Sequence, residues 1–379
     1  VRSLKNYYDV AIVGGGPAGI ATALFLAHMN PALTDKIVVL EKDVYPREKF
    51  CAGAVSARAD KILEAIGVRV DVPSVTINGI SWKGVSGISV GRESSIARVV
   101  RRLEFDAECA NAARKRGIEI MDGTRAFALK RFGSRIELET TKGTFNAQIV
   151  VGADGVQSFV RNAVGVPRGT IRAQAVEVDT ERTSEDFPPD IFHFDTTLPM
   201  VGYSWDFPTP LEGKTRMCRG VGMFSLKWNT CRKDVRTILR ERLVEKGVGG
   251  TLSHFKQYAE VGFELHNPYA AERIVLVGEA AGIDPLTGEG IAQAIEYGQV
   301  AGAYLARKIA ERDVRFGDWR TCLNRSRLGR DLWVRSKLLP YLYGPWRPLT
   351  ERLFLHLPLL FTLAMRHFGG KRLLAPQKG

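Results

Sequence analysis

The chain has 379 residues, 45% of them hydrophobic and 25% charged, which allows a sizeable core over two domains or one elaborated fold and excludes a disordered chain. Its formal net charge of +13 is uneven: residues 320–379 carry 12 Lys and Arg against Asp331 and Glu351, a net of +10, and the remainder carries 42 against 39, a net of +3. The basic stretch is also apolar and aromatic, a mixture that suits an anionic lipid surface better than a nucleic-acid groove, and no nucleic-acid-binding module is recognisable.

From the N-terminus, "YYDVAIVGGGPAGIATALFLA" passes from an apolar strand at 10–13 through glycines into a helix-period pattern. The strand starts almost at once, so no secretory leader is expected ahead of it. Gly14, Gly16 and Gly19 have GxGxxG spacing, with Pro17 and Ala18 between the last two. The first glycine permits a tight turn, the second lets backbone approach a pyrophosphate, and the third lets helix pack on strand. The helix start then offers unpaired N–H groups and a positive dipole end to phosphate. A second strand, "KIVVLEK", runs up to Glu41 and Lys42, with Glu41 placed to accept hydrogen bonds from a ribose diol.

"YPREKFCAGAV" follows at 45–55 and has neither helix nor strand period. "VVRRLEFDAECANAARKRG" reads as a helix whose Leu103, Ala107, Ala110 and Ala113 face the sheet. At 149–161, "IVVGADGVQSFVR" is a buried strand, a Gly-Ala-Asp-Gly turn and a helix start. "GYSWDFP" places Tyr203, Trp205 and Phe207 on one face of a strand by alternation. Three aromatics in a row suit a long apolar substrate, or simply the core of a half-buried sheet. At 273–295, "RIVLVGEAAGIDPLTGEGIAQAI" is another strand, an acidic turn and a glycine-led helix. Near the end, "LFLHLPLLFTLAM" is interrupted by Pro358 and falls short of the roughly 20 residues of a spanning helix. The tail fits either an interfacial element or a helical cap over the substrate region. The five cysteines (51, 109, 218, 231, 322) are odd in number and contain no CxxC pair, so neither disulfides nor a metal site is expected, and a reducing, cytoplasmic setting fits.

Together these stretches resemble the flavoprotein oxidoreductases of the para-hydroxybenzoate hydroxylase-like fold, and among them the geranylgeranyl reductase family. "PREKFCAGA" is similar to that family's PxxKxCGG signature at Pro46, Lys49, Cys51 and Gly53, with Ala52 replacing a glycine. "GYSWDFP" matches its YxWxFP motif at Tyr203, Trp205, Phe207 and Pro208. "DPLTGEGI" matches the reductase form, with Gly282 and Ile291 where aromatic hydroxylases more often carry His and Asn. The likeness covers most of residues 7–330.

The resemblance implies an α/β fold, α+β overall. It consists of a Rossmann-like FAD-binding domain from residues 1–72, 95–165 and 270–330, an inserted antiparallel β-sheet substrate domain from 73–94 and 166–269, and a C-terminal helical segment at 331–379. It implies FAD as cofactor, held by Gly14, Gly16, Pro17, Ala18, Gly19, Glu41, Lys42, Arg47, Cys51, Ala52, Gly53, Ala126, Asp154, Gly155, Gly288, Gly290 and Ile291. Arg102, with Phe105 and Asp106, fits the family's RxxFD pattern, whose arginine approaches the FAD phosphates; an ordinary i,i+4 ion pair is the simpler alternative. Glu279 stands where the family usually has the aspartate that holds the ribitol, so its carboxylate sits one methylene further out. The N–H groups of "TGEGI" would stabilise a reduced, anionic flavin.

The activity implied is hydride transfer from reduced FAD to carbon–carbon double bonds of a prenyl lipid, with Cys51, Tyr203 and Trp205 as candidate catalytic residues. Cys51, Tyr203 and ordered water are the candidate proton donors, and Cys51 is alternatively an inert thiol lining the wall. No second nucleotide fingerprint is present, so NAD(P)H or a reduced carrier protein must supply electrons. A hydrophobic, anionic lipid partner and a peripheral position at the inner membrane face fit the basic tail. Two rival activities are monooxygenation or halogenation of a small aromatic, because "GYSWDFP" also resembles the halogenase WxWxIP motif, and flavin-linked quinone chemistry.

Overall fold

Strand Tyr7–Val13 is the centre of a parallel sheet because its last four residues, Val-Ala-Ile-Val, are buried on both faces. Strand Ile37–Leu40 lies on one side, with Val10 opposite Ile37, and Gly143–Gly152 on the other, with Val10 opposite Ile149. Glu119–Met121 extends the first side and Ile274–Leu276 the second, both parallel. An antiparallel ribbon, Ala126–Phe132 and Arg135–Thr140, leads into Gly143–Gly152. The computed structural model describes residues 6–167, 169–226, 229–251 and 255–371.

Helix Pro17–Met29 is apolar all round and buried over most of its length, as expected of a helix enclosed by the rest of the fold. It packs along helix Ile291–Ala310 at unusually short range: a Cβ on Gly298 or Gly302 would lie 2.4 Å from Ala21 Cβ or 2.6 Å from Phe25 Cβ. Helix Arg102–Lys115 turns Arg102, Phe105, Asp106, Cys109, Ala110 and Ala113 inward, leaving Leu103 and Ala107 half-buried. The face is thus rotated from the expected one, because the two charged residues are drawn in by partners in the site.

A second sheet runs in the order Lys256–Val261, Arg172–Thr180, Lys214–Phe224, Gly202–Leu211, Ile191–Asp195, Ser74–Gly84, Gly87–Val100, Ala54–Ser56. It is antiparallel except between Ile191–Asp195 and Ser74–Gly84. That pair is parallel because its strands come from two separate excursions of the chain. Two of the expected boundaries fall inside an element. The expected break at 94/95 falls inside strand Gly87–Val100, and Ala54–Ser56 pairs with residues 97–99 of that strand. The expected start at 331 falls inside helix Arg327–Tyr343, which begins earlier because Ser326 Oγ accepts the Gly329 N–H at 3.0 Å.

Helix Val235–Glu245 covers one face of this sheet, where Val176, Val178 and Val221 pack with Ile238 and Leu239. The opposite face carries Phe192, Tyr203, Trp205 and Phe207, and Leu339 and Tyr343 of helix Arg327–Tyr343 join that core. Pro358 separates the last two helices, Arg347–His356 and Pro358–Phe368. No helix among the described residues is long and apolar enough to cross a membrane.

Candidate active site

Between the two sheets lies a cavity of about 1000 Å³, at the upper end of the usual range for small-molecule sites. At one end the glycine turn forms its floor. Gly14 has φ +105°, and a Cβ there would lie 2.2 Å from the Ala153 carbonyl oxygen; one on Gly19 would lie 1.9 Å from Gly14 O. A Cβ on Gly16 would meet nothing within 4 Å, so that glycine leaves room on the cavity side. Gly14, Gly16, Pro17 and Ala18 line the cavity, and helix Pro17–Met29 begins there without a side-chain cap. Gly19 faces the strand instead.

Glu41 is buried at the end of its strand, where Oε2 accepts the Gly15 N–H at 2.8 Å and Oε1 the Asp43 N–H at 3.1 Å. Arg47 reaches Glu41 Oε2 at 3.3 Å and Asp106 Oδ2 at 3.0 Å, and its buried Nε has no partner. Arg102 forms a two-pronged ion pair with Asp106 at 2.7 and 2.8 Å. The i,i+4 pair is therefore present, and it also belongs to a buried chain of charges lining the cavity. Lys42 lines the rim with its ammonium exposed, 3.9 Å from Asp43. Ala126 is buried on the cavity wall.

Asp154 spends its carboxylate locally: Ser158 Oγ donates to it at 2.5 Å and the Val160 N–H at 3.2 Å, which fixes the start of helix Phe159–Ala163. Burial raises its pKa while these bonds pull it back. Gly155 and Glu279 face each other, a Cβ on Gly155 falling 3.6 Å from Glu279 Oε2, and both line the cavity. Helix Ile291–Ala310 also starts at the cavity without a side-chain cap, with Gly288, Gly290 and Ile291 on the wall.

Cys51 is half-buried on the wall, with Sγ accepting the Gly53 N–H at 3.4 Å. Burial pushes the thiol pKa up, with the Arg102 guanidinium pulling the other way, so the sulfur stays protonated and is a weak nucleophile. Gly53 also lines the cavity, and its backbone is held by the neighbouring strand. Its φ is +78°, and a Cβ there would lie 2.0 Å from Val100 O. The neighbouring strand leaves no room for a side chain at Gly53, and Ala52 lines the cavity beside it.

Tyr203, Trp205 and Phe207 are buried side by side and line the cavity with Phe192 and Phe194. Phe192 and Phe207 meet at a tilt with centroids 4.1 Å apart, and Phe194 meets Tyr203 edge-on at 5.6 Å. The Tyr203 hydroxyl donates to Thr287 O, so it ties the aromatic strand to the loop at 284–290. Burial raises its pKa well above that of a free phenol.

Three features were not singled out from the sequence. Glu177, deep under the wall, accepts the Cys51 N–H at 3.1 Å and the Tyr258 hydroxyl at 3.4 Å, and burial lifts its carboxyl to about 7. Glu260 lines the cavity opposite Gly288: a Cβ there would lie 3.0 Å from Glu260 Oε2 and 3.1 Å from Tyr203 OH. Its alternation with Tyr258 in "YAEV" was the available signal. The third is a buried charge cluster. Arg335 reaches Asp284 at 2.6 Å, Glu289 at 2.9 Å and Asp331 at 3.2 Å, while Arg58 approaches Glu289 at 3.6 Å, Glu296 at 3.5 Å and Asp331 at 3.4 Å. Arg335, part of the basic stretch in the sequence, is an internal tie from the C-terminal helix to the glycine-led loop.

The residues present fit FAD. Two uncapped helix starts converge on one cavity, the space at Gly16 admits a pyrophosphate, and Arg47 keeps a buried N–H without a partner. The far end, walled by aromatics, fits a flat ring or an apolar chain.

Residues 7–314 match a family model described as "FAD binding domain". Among curated relatives, digeranylgeranylglycerophospholipid reductase 1 of Methanopyrus kandleri is 29% identical over 81% of this chain and 82% of its own. Menaquinone reductase of Mycobacterium tuberculosis is 26% identical over 96% and 91%. Among solved structures, a geranylgeranyl bacteriochlorophyll reductase-like protein of Thermoplasma acidophilum superposes with a TM-score of 0.75 at 21% identity, covering 92% of this chain and 90% of the other. A flavin-dependent brominase superposes with 0.74 at 16% identity over 96% and 94%. These structural likenesses show the fold they share, and the names of the relatives agree with the geranylgeranyl reductase motifs in the sequence. The chain belongs to the FAD binding domain family and is a FAD-dependent oxidoreductase.

Proposed function

We propose that this protein reduces carbon–carbon double bonds in the isoprenoid chain of a lipid. The observation that carries this is the shape of the cavity: it runs from the nucleotide cradle past five aromatic rings and out between the C-terminal helices. Val334, Leu338 and Ala364 line it and are also exposed, so they rim its mouth. A bound FAD would supply hydride. The chain's own residues would bind, orient and shield. Gly16, Pro17 and Ala18 would receive the pyrophosphate, Arg47 and Arg102 would offset its charge, and Glu279 would take the ribityl hydroxyls. The N–H groups at 288–291 would face the flavin carbonyl edge. The aromatic wall would hold an extended prenyl chain and exclude water.

The C-terminal helices that carry the mouth also expose apolar side chains, among them Trp333, Tyr341, Trp346, Leu349 and Leu359. Arg330, Lys337 and Arg352 are exposed beside them, while the acids Asp331 and Glu351 are buried. That combination suits an anionic lipid surface from which a prenyl chain could enter directly. Electrons would come from NAD(P)H or a reduced carrier protein.

Anaerobic incubation of chemically reduced enzyme with prenylated lipids, followed by mass spectrometry, tests the activity. A gain of two hydrogens per double bond is expected. Oxygen incorporation or halide transfer with no reduced alkene would overturn it in favour of the chemistry of the brominase-like neighbours. Co-sedimentation with anionic vesicles, absent with zwitterionic ones, is the expected sign of the lipid contact.

A further inference from the structure

Reducing an alkene needs a hydride at one carbon and a proton at its neighbour. The three proton sources named from the sequence fare unequally in the structure. The Tyr203 proton is committed to Thr287 O, and burial makes the phenol a still weaker acid. The Cys51 thiol is similarly raised, and its Sγ accepts from Gly53. Water remains, but the five aromatic rings that line that end of the cavity offer it no hydrogen-bond acceptor of their own beyond the Tyr203 hydroxyl. Another acid, Glu260, lines the same cavity beside Tyr203.

We propose that the Glu260 carboxyl, aimed into the cavity between Tyr203 and the glycine-led loop, is the proton donor to the substrate carbon beside the hydride acceptor. The proposal rests on the alkene-reductase function above. Its geometry comes from three elements. Strand Lys256–Val261 is the edge strand of the second sheet among the described residues, paired along Arg172–Thr180, and it carries Glu260 on the cavity wall. Gly288, at φ +67°, brings the loop backbone close, and the missing side chain is what leaves space for the carboxyl: a Cβ there would lie 3.0 Å from Oε2. Tyr203 closes the third side. The nearest-lying nucleotide-cradle groups, Gly288 and Gly290, belong to the loop that would face the flavin, so an acid here borders the place where cofactor and substrate meet.

The surroundings favour the protonated form of the carboxyl. Glu279, Asp284 and Glu177 raise its pKa together with burial, Lys49 opposes them, and Tyr258 and Tyr203 stay neutral beside it. Burial is the largest cause, and the shift is well upward from the ordinary carboxylate value. A carboxyl biased towards its neutral form suits the role of proton donor. In the step, the Glu260 O–H bond breaks as a new C–H bond forms on the carbon next to the one that gains hydride, leaving an alkane and a carboxylate. Solvent entering at the mouth after product release restores the proton.

The sign of the pH dependence follows: the acid must start protonated, so reduction slows as pH rises through its raised pKa. The test uses FAD-loaded Glu260→Gln, Glu260→Asp and Glu260→Ala proteins, each checked for bound flavin by absorbance. Glu260→Gln is expected to keep FAD and lose alkene reduction by roughly 10²–10⁴-fold. Its residual rate should be flat with pH where the wild-type rate falls. Glu260→Asp should keep part of the rate, and Glu260→Ala should regain rate with added formate. Without substrate, the infrared difference between wild type and Glu260→Gln should contain the carbonyl stretch of a protonated carboxylic acid. Wild-type-like turnover and pH profile in Glu260→Gln, or no such band at neutral pH, overturns the proposal. Wild-type enzyme that reduces no alkene would remove the function itself, and the infrared result would still report the protonation state separately.

Discussion

Two helix starts face the same cavity, and they are held there by opposite means. The turn before helix Pro17–Met29 is fixed by backbone against backbone: Gly14 on Ala153, Gly19 on Gly14, with no room for a Cβ at either. The loop before helix Ile291–Ala310 is fixed by side-chain charge, with Arg335 joining Asp284 and Glu289 from a helix about fifty residues away in the chain. The difference teaches where each half of the site is vulnerable. The first depends on what is absent from three positions within six residues. The second depends on an ion cluster assembled from distant segments, and losing one member would leave the others buried and unpaired.

The comparison breaks most sharply within the glycine turn itself. Gly14→Val should abolish folding or FAD retention outright, because both φ +105° and the 2.2 Å contact forbid a side chain. Gly16→Val should leave thermal unfolding of the apoprotein near wild type and still lower flavin affinity, because its Cβ enters open cavity. Equal loss of melting temperature in both variants would contradict this division.

At the second loop, Arg335→Met should cost about 3–5 kcal/mol, since Asp284, Glu289 and Asp331 lose a buried partner. Denaturant unfolding of the apoprotein measures it, and a change below about 1 kcal/mol would show the cluster to be dispensable. Part of its stability is also pH-linked. Asp331 is held well below its ordinary pKa, against the cost of burial, by His367, Arg335 and Arg58. Its contribution is therefore present above the unfolded carboxylate pKa, about 4, and is lost as pH falls through the folded value.

Glu177 gives the opposite slope. Its carboxyl is raised from 4.5 to about 7 in the folded chain, so the folded state binds the extra proton between those values. Its stability contribution is complete below pH 4.5 and declines as pH rises towards 7, by roughly 3 kcal/mol in all. Glu177→Gln should flatten the melting temperature over that window, and an unchanged slope would show that Glu177 does not titrate there.

The smallest effect expected is at Cys51. Its neutral thiol accepts one long hydrogen bond, so Cys51→Ala should retain FAD and shift stability by about 1 kcal/mol or less. Turnover reduced 100-fold or more with flavin retained would restore the thiol to the chemistry.

What the sequence determined by itself was the nucleotide half of the site. Strand, glycines, helix, strand and Glu41 lie within 35 residues, and the physics that demands them is local: a turn with no side chains, an uncapped helix start, a carboxylate at a strand end. The same holds for the row Tyr203, Trp205 and Phe207, whose shared face follows from strand alternation alone. Tertiary structure decided the rest. Helix Arg102–Lys115 turned its charged residues inward because Arg47, 55 residues earlier, pairs with Asp106. Gly53 proved to serve the strand carrying Val100, which local pattern could not reveal. Arg335 became an internal tie, and Glu260 became a half-buried acid on the cavity wall, only once an edge strand, a loop and an aromatic strand met around one cavity. Spacing encodes backbone geometry; burial of a charge is a property of what folds over it.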